Sequence, residues 1–218
     1  TTIDSAKLDG FGLAVKADAV LGPDGAGATA LRSAHATVTG DLATARPLLG
    51  ALMGLASDAT LAGSLASDVR IAPAGASRTV RGRTTLERVR FVGGRDPKNP
   101  AAAPTTFDEP SVVVEHDLTL DFDGKDSMRL DKVTLASAAV SGSASGSTHG
   151  TGDAQTLDLV VKVDADCVRL ADRLRTILGE GYEDTTGAGR LTGQVVLVGP
   201  TANKMRDLRI DGNLAYGS

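Results

Sequence analysis

The side chains able to do chemistry are few and scattered. His35, His116 and His149 show neither His-x-His nor His-x-x-x-His spacing, so a zinc site would need convergence from distant stretches. Each is read as a surface or strand histidine. Ser143 and Ser145 lie in Gly142-Ser-Ala-Ser-Gly146, which has no serine at the middle position a nucleophile elbow needs. Gly25-Ala26-Gly27-Ala28-Thr29-Ala30 has the spacing of a dinucleotide fingerprint, but that motif must open a helix inside a βαβ unit, and alternating runs surround it. Asp121-Phe122-Asp123-Gly124-Lys125-Asp126 gathers carboxylates that could suit calcium. Lys125, however, takes a ligand position, and no bidentate Glu follows, so a hairpin turn is expected. Glu180, Glu183 and Asp184 read as a solvated loop without a partnered acid or base. With no catalytic or metal-binding set, the chain is read as non-enzymatic and without a cofactor.

Composition narrows the partners. The 218 residues carry 23 Lys plus Arg against 27 Asp plus Glu, a net charge of −4, and only 3% aromatic residues with no Trp. Nucleic acid is disfavoured, because phosphate binding needs a basic face and usually aromatics for base stacking. The aromatic shortage also weakens a carbohydrate-binding reading. The lone Cys167 cannot form an internal disulfide, so burial and backbone pairing must supply stability. The chain opens at Thr1-Thr2 without Met or an apolar leader, as a mature form or excised piece would. No apolar run approaches the roughly 20 residues of a membrane-spanning helix, so any anchor is expected outside this stretch.

The elements that would position these side chains are mostly strands. Apolar residues alternate with polar ones over 11–21, 61–71, 112–122, 157–166 and 208–216, the period of half-buried antiparallel strands. Turn residues at Gly22-Pro23-Asp24-Gly25, Asp123-Gly124 and Gly199-Pro200 punctuate them, and Asp123-Gly124 should close a hairpin between 112–122 and 127–135. Residues 141–152 look low-complexity, though such small residues can also sit in an edge strand. Helical spacing occurs twice, near 41–55 and near 168–179, where Leu170, Leu174, Ile177 and Leu178 precede Gly179. The division expected is a β-rich unit over 1–95, a Pro/Ala-rich loop over 96–110 and a second β-rich unit over 111–218.

These units resemble one another. Leu61-Ala62-Gly63 matches Leu191-Thr192-Gly193, and Val80-Arg81-Gly82 falls on Ile210-Asp211-Gly212 at the same offset, each after a helical stretch. About ten strands or more are expected, and two short helices cannot cover the apolar face of so large a sheet. Such a face must curl on itself, pair with a second sheet or hold apolar ligands.

Asp41-Leu42-Ala43 with Leu48-Leu49 and Leu61-Ala62-Gly63 resembles the repeating pattern of AsmA-like and TamB-like bacterial envelope proteins. So do Leu170-Ala171-Asp172-Arg173-Leu174, Gly189-Arg190-Leu191-Thr192-Gly193 and Leu208-Arg209-Ile210-Asp211-Gly212, and the run from Leu118 through Met128 to Leu135. The resemblance implies a mainly β fold: a long, curved, taco-like antiparallel sheet with two short amphipathic helices. It further implies a non-catalytic role in lipid binding, lipid transfer or outer-membrane maintenance in the periplasm or cell envelope. The partners would be a lipid or other apolar ligand, and a bacterial membrane reached through segments outside this stretch. The lining expected for such a groove is Leu13, Val15, Leu65, Val69, Val114, Leu118, Leu120, Phe122, Leu159, Val161, Leu208 and Ile210. The competing expectation is a structural or adhesive cell-surface sandwich or solenoid without ligand.

Overall fold

In the computed structural model, the described residues are 2–23, 29–53, 58–75, 77–93, 106–121, 127–150, 154–171, 186–200 and 207–217. They form one antiparallel meander in which strand order equals chain order. The strands are β1 (Thr2–Gly10), β2 (Leu13–Pro23), β3 (Thr29–Asp41), β4 (Thr60–Ala74), β5 (Ser77–Val92) and β6 (Thr106–Asp121). They continue as β7 (Ser127–Ala136), β8 (Val140–His149), β9 (Thr156–Asp166), β10 (Arg190–Pro200) and β11 (Arg209–Gly217). Helix α1 (Leu42–Met53) joins β3 to β4 and packs on those two strands. Strands otherwise pack substantially only on their chain neighbours, so the sheet is open.

Local chemistry explains the connections. The β1–β2 loop is two residues, Phe11-Gly12, with φ of 51° and 73°, the type I′ turn that suits the twist of a hairpin. Phe11 therefore belongs to a turn, and the strand expected from 11 begins at Leu13. Asp41 caps α1: its Oδ1 accepts from the Thr44 amide and the Thr44 hydroxyl, each at 2.8 Å. Those two donors, the amide first, hold the Asp41 carboxyl below the usual carboxylate range. Leu42 and Ala45 turn inward and are buried, while Arg46 Nε donates to the Ala59 carbonyl at 3.0 Å, tying the helix to the entry of β4. Asp166 repeats this cap, accepting from the Arg169 amide at 3.0 Å. The second helix is described over 167–171; the rest of the expected 168–179 stretch lies outside the described residues.

Two expectations need adjustment. The last five residues of the expected 96–110 loop, Thr106–Pro110, are strand and open β6, and β5 pairs with β6 along Arg78–Val92, so both halves share one sheet. The strand–helix–strand–strand unit does recur, as β3-α1-β4-β5 and as β9-helix-β10-β11. Its register does not: Gly82 stands opposite Val69, whereas Gly212 stands opposite Val195. The matched glycines are therefore not equivalent points in the two ladders.

Ladder shifts at Ile3/Ala6, Val20/Leu21, Ala62/Ser64, Asp117/Leu118 and Leu130/Val133 mark bulges, which add local twist and bend. The last two bracket Asp131, which is pinned by the Thr119 hydroxyl at 2.7 Å and Arg129 Nε at 2.6 Å. Thr119 first and Arg129 next hold the Asp131 carboxyl below its usual range.

The core is thin. No large side chain among the described residues is fully buried. The solvent-accessible area is 13421 Å², against roughly 9,400 Å² for a compact globule of this mass. The difference is what a single sheet with an uncovered face produces.

Candidate functional site

Residues directly opposed in an antiparallel ladder project to the same face, so register alone sorts the side chains. One row crosses all eleven strands as Leu8, Val15, Val38, Ser67, Thr84, Val114, Leu135, Gly142, Val163, Gly193 and Leu214. Two residues along, on the same face, runs Ala6, Ala17, Ala36, Val69, Gly82, His116, Val133, Ala144, Val161, Val195 and Gly212. A third row takes Ala19, Ala34, Ile71, Val80, Leu118, Leu130, Gly146, Leu159, Leu197 and Ile210 from β2 to β11. This face is an aliphatic trough. At about 4.8 Å per strand it is roughly 48 Å across.

No second sheet or helix layer covers the trough among the described residues. Its rims are open, with Leu8 71%, Ile210 67%, Leu214 59% and Tyr216 59% exposed. Of the expected lining, Leu13, Val15, Leu65, Val69, Val114, Leu118, Leu120, Leu159, Val161 and Ile210 all fall on this face. Leu208 precedes β11 and lies against Gly199 of the same face, while Phe122 is outside the described residues.

The narrowest floor belongs to a strand that composition hid. In β8, Gly142, Ala144 and Gly146 face the trough, and Ser141, Ser143, Ser145 and Ser147 face away. Larger side chains flank them: Leu130, Val133 and Leu135 on β7, and Leu159, Val161 and Val163 on β9. The result is a furrow along β8 with aliphatic walls. Far from being low-complexity or an edge, 141–149 is an inner strand. Its period of two was legible, but Gly and Ala carry too little hydrophobicity to announce a buried face.

The opposite face is charged and held by cross-strand pairs. Arg81 Nε meets Asp117 Oδ2 at 2.8 Å and Arg83 Nη1 meets Glu115 Oε1 at 2.7 Å. His35 Nε2 lies 2.7 Å from Asp68 Oδ2, with Asp18 3.6 Å from its other ring nitrogen. The His35 ring and then Arg70 hold the Asp68 carboxyl below its usual range. Arg190 Nη2 donates to Asp164 Oδ2 at 2.7 Å, which lowers that carboxyl likewise. A cleft of about 400 Å³ opens on this face among Asp68, Arg70, Arg81, Arg83, Glu115, Asp117 and Lys132, floored by Gly82 and His116.

The structure brings no acid–base pair together in that cleft. Glu115 and Asp117 are engaged with arginines, while the His116 ring occupies the trough side, where a Cβ on Gly82 would meet its Nε2 at 2.6 Å. Ser147 Oγ and His149 Nε2 are 3.0 Å apart on the exposed charged face, outside any cleft. Among the described residues, no group of three His, Cys, Asp or Glu is arranged to hold a metal, and no helix is long and apolar enough to cross a membrane. Compared with known proteins, the chain matches no family model, no curated protein and no solved structure.

Proposed function

We propose that this chain is a non-catalytic lipid-handling protein of the bacterial envelope, and that the trough holds acyl chains. The observation that carries the reading is the aliphatic face running through all eleven strands without a covering layer among the described residues. Exposed apolar surface on this scale is costly in water, at about 25 cal/mol per Å², and large patches mark sites of interaction. A lining of Val, Leu, Ala and Gly with few aromatics offers non-directional contact, which suits hydrocarbon tails that form no hydrogen bonds. The resemblance to AsmA-like and TamB-like proteins supports the same substrate class and an envelope location. A structural or adhesive role without ligand is the reading it competes with.

The test is lipid carriage by the purified chain, read by native mass spectrometry and organic extraction. Wild type should carry extractable acyl lipid. Val161→Glu places a carboxylate between Ala144 and Val195 on the trough face and should reduce the load several-fold. Val160→Glu, one residue away but opposite Ser145 and Val196 on the other face, should leave it unchanged. Lipid absent from wild type, or lost equally from both variants, would overturn the proposal and favour the ligand-free structural role.

A further inference from the structure

His116 is out of place in its row. The other ten members, from Ala6 to Gly212, are Ala, Val or Gly. The remaining charged groups that register places on this face, Arg78 and Glu109, are committed near strand ends. Arg78 donates to the Leu31 and Ser77 carbonyls at 3.1 and 2.9 Å, and Glu109 accepts from the Ala138 amide at 2.6 Å. His116 lies mid-strand and mid-sheet, on the sixth of eleven strands, and among the described residues no hydrogen bond or ion pair engages its ring.

The surroundings form a seat. Gly82, directly opposite, has no side chain, and the His116 ring fills that space. Diagonal to it, Thr84 Oγ1 and Ser67 Oγ share a hydrogen bond of 2.9 Å on the same face. The polar island of His116, Thr84 and Ser67 is enclosed by Val69, Val114, Leu118 and Val133. An unengaged N–H in aliphatic surroundings is a directional contact for one polar group of an otherwise apolar ligand, and it is strongest toward an anion.

Resting on the lipid reading of the trough, we propose that its ligands are single-chain amphiphiles with a carboxylate head, free fatty acids, and that His116 is the head-group anchor. A single imidazole suits a monoanion, whereas a phosphate head calls for guanidinium or ammonium groups, and the guanidinium that register places on this face, Arg78, is committed to backbone carbonyls. An acyl chain spans about 15 Å, half the hydrocarbon thickness of a bilayer. From His116 on β6 it spans about three strand spacings of 4.8 Å, which takes it over β7 and along the furrow of β8 as far as its β9 wall.

The experiment compares palmitate with its methyl ester, which keeps the chain and removes the charge, by calorimetry or displacement of a fluorescent fatty acid. Wild type should bind palmitate about tenfold more tightly than the ester, the worth of one charge-assisted hydrogen bond. His116→Leu should bind both ligands alike at the wild-type ester affinity, and His116→Lys should restore the preference. Equal wild-type affinity for both ligands, a preference kept in His116→Leu, or tighter binding of a lysophosphatidate would overturn the anchor while leaving the trough intact. Failure of wild type to bind even the ester would instead overturn the lipid reading itself.

Discussion

Replacing Gly146 by alanine tests whether β8 lies as close to β9 as the furrow requires. Gly146 has φ of 150°, a conformation that side chains rarely adopt, and a Cβ there would sit 2.0 Å from the Asp158 carbonyl oxygen and 2.8 Å from Leu159 Cα. Holding alanine in such a conformation costs about 1–3 kcal/mol. Relief of the contact requires β9 to retreat by roughly an ångström, weakening one or two ladder hydrogen bonds at about 0.5–1.5 kcal/mol each. Together these reach about 2–5 kcal/mol, a large part of the stability of an ordinary domain. The melting temperature, followed by far-ultraviolet circular dichroism, should fall by about 5–20 °C. The control is Gly10→Ala, where an added Cβ meets nothing within 4 Å, and it should melt within about 2 °C of wild type. If both variants melt together, the close approach of β8 to β9 is wrong, and the thin floor of the furrow goes with it.

Glu109→Ala should destabilise the sheet by about 1–3 kcal/mol in urea titration, because its buried carboxylate accepts the Ala138 amide at 2.6 Å in the β7–β8 turn. Asp41 should make α1 sensitive to acid. Its folded pKa lies below the ordinary 3.8, so the cap is fully present above that pH and disappears as pH falls through the depressed value. The Thr44 amide proton shift should report the loss, and Asp41→Asn should remove the pH dependence. Arg83→Ala breaks the exposed 2.7 Å pair with Glu115 and should cost only about 0.2–1 kcal/mol, a difference that vanishes in high salt.

Strand alternation made much of this fold readable. Leu157, Leu159, Val161 and Val163 against Asp158, Lys162 and Asp164 specify both the strand and its inward face, which is why ten of the expected lining positions share one face. Where the hydrophobic signal is carried by Gly and Ala, as in β8, the alternation loses contrast and the strand passes for a low-complexity stretch or an edge strand. Proline misled in the same way over Thr106–Pro110, where β6 tolerates Pro110 as part of its opening residues. The repeat is visible as matched glycines, but register is set by the connections: β4 and β5 pair from Ala74 opposite Ser77, whereas β10 and β11 pair only from Val198 opposite Arg209, which offsets the two ladders. By its sequence context alone His116 is an ordinary surface or strand histidine. Only the cross-strand row shows that every other member is aliphatic or glycine.

A meander in which each strand leans chiefly on its sequence neighbours has no keystone. Its cohesion is a chain of pairwise seams, deepest where the long β4, β5 and β6 adjoin and shallowest at β11, whose residues are all exposed. Under pulling force or denaturant the molecule should therefore peel from its rims inward, and native-state hydrogen exchange should rank the seams in that order.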